Sequence, residues 1–357
     1  MRSLPPGLTI HRRHDAFTLV ELLLAITILA FILSSLASIM GQTTRAWRIA
    51  RSQLQQFREA ESAFEQMTRR ITDATLNTYH DYEFPGGDTQ KTPTRYIRQS
   101  EMHFVCGPSL SASGGIPSLL GSGVQGGSHA IFFQGPFGEH ETSELTGLNT
   151  LLNAWGYFIE FGNDDDQRPS FLSGAVGSGA RYRFRLMEFR QATESLAVYD
   201  TPLSSLPAGQ LFNWFNGAAG SGDGVHTLAE NVLALIVRPL APDDTMAATA
   251  IAPSYYYDTR AYQRNAGGAY EQQRSRHQLP PSLEITLVVM DEASGARLQA
   301  TYGTSLPAIM PEGLFQTSVS YDSDVKALEE ALIENQIQFR ILKKTVRLRN
   351  ARWSRAD

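Results

Sequence analysis

The chain has 357 residues and a net charge of −5 at pH 7, with 42% hydrophobic and 19% charged residues. This composition is typical of a globular protein rather than a disordered or collagen-like chain, and the length allows one large domain or two smaller ones. The acidic balance provides no overall basic field for nucleic acid, and the single cysteine, Cys106, excludes an intrachain disulfide framework and a multi-cysteine zinc site.

The N-terminal segment is the most informative part of the sequence. Residues 1–16 form a short basic leader that carries Arg12 and Arg13, and residues 17–40 form an apolar stretch without Pro or Gly whose one charge is Glu21. A helix needs about 20 apolar residues to cross a bilayer, and a core helix would keep a polar face. The stretch therefore predicts a membrane span, and the arginines before it place the N-terminus in the cytoplasm.

A cleaved secretory signal peptide is the alternative, because Ser35-Leu36-Ala37 has small residues at a suitable spacing. Glu21 argues against this alternative, since a carboxylate in an apolar span costs about 2.5–3.5 kcal/mol on insertion scales. A segment destined for removal would gain nothing from that cost. An intramembrane carboxylate instead indicates a function and requires a cationic partner.

The string Ala16-Phe17-Thr18-Leu19-Val20-Glu21-Leu22-Leu23 resembles the N-terminal motif of type IV prepilins and pseudopilins. The resemblance implies that a prepilin peptidase cleaves between Ala16 and Phe17 and methylates the new amino group of Phe17. It also implies that Glu21 pairs with the N-terminal amine of a neighbouring subunit during assembly, and such pairing makes a buried carboxylate tolerable. The family usually has Gly before the cut, and Ala16 is the closest substitute in size.

Apolar residues at spacings of three and four continue beyond the span as far as Ala74. This periodicity predicts that residues 41–79 form the periplasmic, amphipathic half of one long helix. The breaker sequence Phe84-Pro85-Gly86-Gly87 follows, so we expect the helix to end near Tyr79.

Residues 80–357 have the pattern of a β-rich periplasmic head, so the predicted fold is α+β and pilin-like, with the long helix packed on an antiparallel head. Apolar or alternating runs predict strands at residues 103–105, 130–134, 155–161, 182–189, 232–238, 283–290 and 339–348. Stretches rich in Gly, Ser and Pro predict loops at residues 107–128, 173–179, 216–224 and 239–254. The alternation over Arg181–Leu186 predicts a strand with one solvent-exposed face, and a helix is expected over Asp322–Gln336, capped by Asp322 or Ser323.

Segments of the head suggest a subtype within the pilin-like class. Residues 64–71, 228–235 and 279–285 resemble J-type minor pseudopilins of type II secretion, and residues 57–82 and 345–353 resemble a verrucomicrobial group known as Verru_Chthon cassette protein C. The resemblance implies an inner-membrane, single-pass protein at or near the tip of a periplasmic pseudopilus. The implied partners are other pseudopilins, prepilin peptidase, the inner-membrane secretion assembly platform and membrane lipid.

Motifs of enzymes, cofactor sites and metal sites are weak. Gly121–Gly126 fits G-x-G-x-x-G, but a Gly/Ser-rich run surrounds it and no βαβ unit is visible, so a loop is expected there. Asn163-Asp164-Asp165-Asp166 offers oxygen ligands to calcium without EF-hand spacing, and an acidic turn explains it as well. The histidines form no H-E-x-x-H motif, and no G-x-S-x-G or P-loop is present. The sequence thus predicts no catalytic residues, no cofactor and no metal.

Two further features of the sequence could form sites. Cys106 has no recognisable neighbour that would activate it, so a buried or inert thiol is expected. Tyr255-Tyr256-Tyr257, with Arg260, Tyr262 and Arg264, is an aromatic and basic cluster of a kind that stacks on single-stranded nucleic acid. An ordered surface loop or a subunit interface is the favoured interpretation, because Tyr and Arg are common at interfaces, and nucleic acid is not expected as a partner.

These observations predict a minor pseudopilin that is a structural subunit rather than an enzyme. Two alternatives stay open: a minor type IV pilin for adhesion or DNA uptake, and a membrane-anchored periplasmic binding or catalytic domain that borrows the export signal.

Overall fold

The computed structural model describes residues 18–110, 118–120, 124–126, 128–164, 179–199, 211–240, 251–260, 276–311 and 313–353, without the side chains of residues 45 and 48–55. The chain divides into two compact units, Met1–Leu54 and Gln55–Asp357. The first unit contains the apolar part of the N-terminal helix, and the second contains the β-rich head.

The helices of the described residues differ widely in length and composition. They are α1 (Leu19–Thr72), α2 (Asn213–Ser221), α3 (Glu292–Tyr302) and α4 (Tyr321–Glu334). The part of α1 that belongs to the head is amphipathic, because Ala60, Phe64, Met67 and Ile71 lie on one buried face.

The strands of the head are all antiparallel. They are β1 (Tyr79–Glu83), β2 (Arg95–Gln99), β3 (Val105–Pro108), β4 (His129–Pro136), β5 (Leu152–Gly162), β6 (Arg183–Gln191), β7 (Val225–Glu230), β8 (Val232–Leu240), β9 (Tyr257–Asp258), β10 (Ser282–Met290) and β11 (Phe339–Arg347). They form a β1-β2 hairpin, a sheet in the order β11-β10-β8 and a sheet in the order β7-β6-β5-β4-β3-β9. The predicted α+β arrangement, a long apolar N-terminal helix followed by an antiparallel β head, is confirmed and is consistent with a pilin-like fold.

Two hydrophobic clusters stabilise the head, one on each face of the six-stranded sheet. The larger cluster joins one face of that sheet to the three-stranded sheet, to the amphipathic part of α1 and to α4. The smaller cluster lies between the other face and α2, where the rings of Phe132 and Phe215 stack with centroids 3.8 Å apart. Burial of large aromatic side chains on both faces explains why β4 and β5 are apolar in nearly every position.

The long helix ends earlier than the sequence predicts, at Thr72 rather than near Tyr79, where β1 begins. The last turn tightens, since the N–H of Asp73 donates to the Arg70 carbonyl at 3.1 Å. The Thr72 carbonyl, which would continue the helix, instead accepts the N–H of Arg349 at 3.1 Å. The C-terminal segment therefore caps α1, and the sequence around the helix end carries no sign of it.

The prediction that one face of β6 is exposed to solvent is wrong, because both faces of this strand are buried. Arg183 and Arg185 are 4% and 5% exposed. Helix α3, which the sequence analysis did not predict, covers Arg183: its Nη2 lies 2.7 Å from Glu292 Oε1 and its Nη1 lies 2.5 Å from Gln299 Oε1. Alternation of charged and apolar residues indicated the strand correctly but not the covering helix.

Two smaller predictions also need correction. Residues 216–224 were expected to be a loop, but residues as far as Ser221 belong to α2, which ends at Gly222 in the left-handed conformation. Helix α4 begins after Ser320, which makes no side-chain cap, rather than being capped by Asp322 or Ser323. The carboxylate of Asp324 in its first turn accepts the N–H of Phe315 at 2.9 Å.

Candidate assembly site in the N-terminal helix

Helix α1 begins with a reciprocal pair of hydrogen bonds between Thr18 and Glu21. The Thr18 hydroxyl accepts the N–H of Glu21 at 3.3 Å, while Glu21 Oε2 accepts the N–H and the hydroxyl of Thr18 at 3.1 and 3.0 Å. This is a capping box, in which a Thr and a Glu three residues later satisfy N–H groups at a helix start. The sequence analysis did not note the Thr-x-x-Glu spacing, although this spacing is visible in the motif.

The helix that follows has an apolar surface on all sides. Residues Leu19–Thr44 have a mean hydropathy of 2.5 and none of this span is buried, which makes it the one described helix long and apolar enough to cross a membrane. The hydroxyls of Thr27 and Thr44 donate to the carbonyls of Leu24 and Met40, both at 2.8 Å. These two hydroxyls are therefore satisfied inside the helix, as a lipid environment requires.

Glu21 is the exception to this apolar surface. Its carboxylate is bonded to Thr18, and no Lys, Arg or His side chain of the described residues forms an ion pair with it. A carboxylate in an apolar span is costly unless it meets a cation. The side chain is thus held at the start of the helix with acceptor capacity left for a positively charged group from outside the described residues. Ala16 and Phe17, the predicted cleavage and methylation residues, lie outside the described residues.

The model of one protein family, the prokaryotic N-terminal methylation motif, matches residues 11–37. The chain carries a prepilin-type N-terminus. This match and the apolar helix support a type IV pilin-like or pseudopilin protein that is processed by prepilin peptidase, anchored by a single membrane span and assembled with pilin-like subunits. No curated protein and no solved structure matches the chain significantly.

The head contains a second glutamate with a special environment, Glu188 on β6, which is 1% exposed. Its Oε1 accepts from Trp155 Nε1 at 2.9 Å and from the Tyr157 hydroxyl at 3.0 Å, and it also pairs with Arg70 of α1. Its Oε2 accepts from Arg190 Nη2 at 2.5 Å. No local sequence pattern indicates this centre, because its members are distant along the chain.

The Glu188 carboxylate is ionised in the head. Burial by itself would raise the pKa of Glu188, but the hydrogen bonds from Trp155 and Arg190 and the charge of Arg70 outweigh burial and lower the pKa. The Arg70 guanidinium also lies over the Trp155 ring, 4.1 Å from its centroid. Every oxygen of Glu188 thus has an intramolecular donor, so the arrangement joins α1 to the sheet and leaves no acceptor for a ligand.

A buried histidine and aspartate form a third centre that superficially resembles a catalytic relay. His103 Nε2 lies 2.7 Å from Asp258 Oδ1, and His103 Nδ1 accepts from Trp214 Nε1 at 3.1 Å. Both ring nitrogens are therefore used, and the ring is fully buried. A general base must reach the proton that it abstracts, and this ring has neither a free nitrogen nor an opening. The contacts fit a structural role.

The other candidate sites from the sequence are occupied by the protein's own contacts or lie outside the described residues. Asp164 accepts the N–H and Nε of Arg181 at 2.8 and 3.0 Å, whereas Asp165 and Asp166 lie outside the described residues. Among the residues that the structure describes, no group of three or more His, Cys, Asp or Glu could hold a metal. Residues 121–123 of the Gly-rich motif also lie outside the described residues. Cys106 is buried as expected, and burial raises the pKa of its thiol.

The tyrosine cluster is mainly part of the core, which corrects the expectation of a surface loop or interface. Tyr255 and Tyr257 are fully buried, and the Tyr257 hydroxyl donates to the Gln278 carbonyl at 2.7 Å. The partly buried Tyr256 donates its hydroxyl to Asp258 at 2.9 Å. Tyr262 and Arg264 lie outside the described residues. The two buried rings have no exposed face on which a base could stack.

Proposed function

We propose that this chain is a minor pseudopilin of a type II secretion-like machine, a structural subunit and not an enzyme. The observation that carries the proposal is the position of Glu21. It lies in a prepilin-type motif, at the start of the apolar span Leu19–Thr44, none of which is buried, and it is held by the Thr18 capping box without a cationic partner among the described residues. The methylated amine of a neighbouring Phe17 is the cation that the motif supplies.

Further features support a place at or near the tip of the fibre. The unit that contains the head, Gln55–Asp357, comprises most of the chain. A bulky head meets fewer neighbours at the end of a fibre than within its shaft. The leader arginines, Arg12 and Arg13, support a cytoplasmic N-terminus and a periplasmic head.

The direct test is intact mass and N-terminal sequencing of the chain after expression with its prepilin peptidase. We expect a mature chain that begins at methylated Phe17. The matched variants are Ala16→Gly, which restores the usual residue and should be processed at least as completely, and Ala16→Trp, which should remain uncut. A mature start near Ser38 would instead mean signal peptidase cleavage, and an intact leader would mean a simple membrane anchor.

Partner isolation separates the pseudopilin from its alternatives. Membranes are crosslinked and the chain is purified with its neighbours, which are identified by mass spectrometry. Recovery of other minor pseudopilins supports the proposed role, whereas recovery of the subunits of a long surface pilus would assign a minor type IV pilin. A processed chain that crosslinks to no pilin-like subunit would exclude both roles.

A further inference from the structure

A polar cavity lies on the α2 face of the six-stranded sheet, opposite the face that packs against the head part of α1. Its volume is about 590 Å³, and it is lined by Glu160 on β5, by Arg185 and Met187 on β6 and by residues 219–222 at the end of α2. The cavity lies next to the smaller hydrophobic cluster, which packs against α2. The side chains of Glu160 and Arg185 make part of its lining polar.

Among the described residues, no acceptor pairs with the buried guanidinium of Arg185. The residue is 5% exposed, its Nε has no hydrogen-bond partner, and within the described residues its guanidinium forms no ion pair. Arg183, two residues earlier on the same strand and 4% exposed, differs sharply, because its terminal nitrogens reach Glu292 at 2.7 Å and Gln299 at 2.5 Å. A buried charge is costly when nothing pairs with it, and a guanidinium stays charged at any physiological pH.

The backbone beside Arg185 leaves room for its guanidinium. A Cβ on Gly162 would lie 2.9 Å from Arg185 Nη2, so a larger residue would displace the guanidinium. Glu160 stands directly opposite Arg185 in the β5–β6 register, yet the two side chains form no ion pair. The Glu160 carboxylate therefore reduces the net positive charge of the cavity but accepts no hydrogen bond from Arg185.

The end of α2 does not supply the missing acceptor either. The Ala218 carbonyl, at this end of the helix, already accepts the N–H of Asp223 at 3.1 Å and the hydroxyl of Ser221 at 3.2 Å. The donors of Arg185 therefore face a cavity that has space for a ligand, and no acceptor among the residues that the structure describes saturates them.

We propose that this cavity binds a carboxylate group through Arg185. A guanidinium presents parallel N–H donors that match the two oxygens of a carboxylate, and this geometry gives the strongest common form of anion recognition in proteins. The Glu160 carboxylate in the same cavity repels negative charge, so a ligand with one negative charge should bind better than a dianion. The carboxylate belongs either to a small organic acid or to the end or side chain of a polypeptide, and both sources present the same group to Arg185.

The test uses the full-length protein in detergent, with the unfolding temperature followed at constant ionic strength. The probes are propionate, the peptide N-acetyl-triglycine, its uncharged methyl ester and inorganic phosphate. We expect propionate and the free-acid peptide to raise the unfolding temperature, because a ligand that binds only the folded state stabilises it. The ester should have no effect. A peptide that binds at least about tenfold more tightly than propionate assigns a polypeptide source, and equal affinities assign a small acid.

Variants decide whether Arg185 is the binding group. Arg185→Gln should lose at least about tenfold in affinity for propionate, whereas Arg347→Gln, an exposed arginine on β11, should bind as the unmodified protein does. Glu160→Gln removes the competing carboxylate and should bind propionate more tightly, which keeps the proposal testable if Arg185→Gln fails to fold. No response to propionate, equal binding of the ester or of phosphate, or unchanged affinity in Glu160→Gln would overturn the proposal.

Discussion

Glu21 in the N-terminal helix and Glu188 in the head are both carboxylates in apolar surroundings, but their partners differ. Glu188 accepts from Trp155, Tyr157 and Arg190 and pairs with Arg70, so it is satisfied within the chain. Within the described part of the chain, Glu21 is bonded only to Thr18, one turn away.

This difference separates a stabilising carboxylate from one that we propose to act in assembly. A buried ion pair with complete hydrogen bonding resists exchange with external groups, because every alternative leaves a charge unpaired. A carboxylate whose partners are only a nearby hydroxyl and a backbone N–H is stabilised when a cation binds to it. Variants at the two positions should therefore have opposite effects on assembly and on head stability.

The variant Glu21→Ala should cause the most severe loss of assembly. Loss of the intramembrane pairing group should reduce recovery of the chain with other pilin-like subunits by at least about tenfold. This reduction corresponds to a pairing free energy of at least about 1.4 kcal/mol. The measurement is quantitative mass spectrometry of crosslinked membranes. The unfolding of the head should not change, because the span that contains Glu21 is not buried.

Thr18→Ala is the matched control for this variant. It removes the capping hydroxyl, which typically stabilises a helix by about 0.5–2 kcal/mol, but it keeps the carboxylate. We expect most assembly to persist. Equal loss in Thr18→Ala and Glu21→Ala would mean that the helix start, rather than the charge, is required.

Glu188→Ala should have the opposite pattern and destabilise the head by about 3–5 kcal/mol, because it leaves Arg70 and Arg190 without their shared carboxylate. The measurement is urea unfolding of the detergent-solubilised chain followed by tryptophan fluorescence. The control is Glu330→Gln, an exposed residue of α4, where a change within about 0.5 kcal/mol is expected. A loss below about 1 kcal/mol would show that Glu188 does not join α1 to the sheet.

Acidification should weaken the head through its buried histidines while Glu188 stays ionised. Burial lowers the pKa of His129 from 6.5 to about 4 and that of His277 from 6.5 to about 3, and the charges of Arg276 and Arg260 add to the effect at His277. The unfolded chain therefore binds more protons between pH 6.5 and these values, so the free energy of unfolding falls as the pH drops through this window.

Each such histidine contributes a slope of about 1.4 kcal/mol per pH unit. His277→Asn should reduce the slope measured by urea unfolding between about pH 6 and 4 by that amount, and Asn tolerates the positive φ of 49° found at this position. His226→Asn, at an exposed site on β7, is the control. An unchanged slope in His277→Asn would mean that His277 is protonated in the folded head.

The smallest effect concerns an exposed link between α1 and β11. Lys344 Nζ lies 2.6 Å from Glu65 Oε2, with both side chains roughly half exposed. A double-mutant cycle of Lys344→Ala and Glu65→Ala should give a coupling free energy of about 0.2–1 kcal/mol that declines with added salt. A coupling free energy above about 2 kcal/mol that does not change with salt would mean that this pair behaves as a buried ion pair, like that of Glu188, and not as a surface ion pair.

The sequence predicted those parts of the molecule whose signals are local. The apolar stripe of α1 indicated the burial of Phe64, Met67 and Ile71, and long apolar runs indicated the central strands, because period and composition depend on neighbouring residues only. The prepilin-type motif likewise indicated Glu21, since its residues are consecutive.

Features that depend on distant residues were not predicted. Arg183 was expected on an exposed face because nothing near it in sequence shows that α3, more than 100 residues later, supplies Glu292. Glu188 meets Arg70 across a separation of 118 residues. Tyr257 belongs to a two-residue strand, which is too short to have a period, so its burial against β3 was also missed.

The cap on α1 sets an order of events in time. The Thr72 carbonyl accepts the N–H of Arg349, and the Ala74 carbonyl accepts the side-chain amide of Asn350. The Asp73 carboxylate accepts from Arg349 Nη1 at 2.8 Å. These partners lie 276 residues later in the chain than the groups that they contact. The end of α1 therefore stays uncapped until residues 349–350 have been synthesised and have folded back onto it, and contacts of such long sequence separation form slowly. A chain that has not yet delivered residues 349–350 lacks the closing contact of the head.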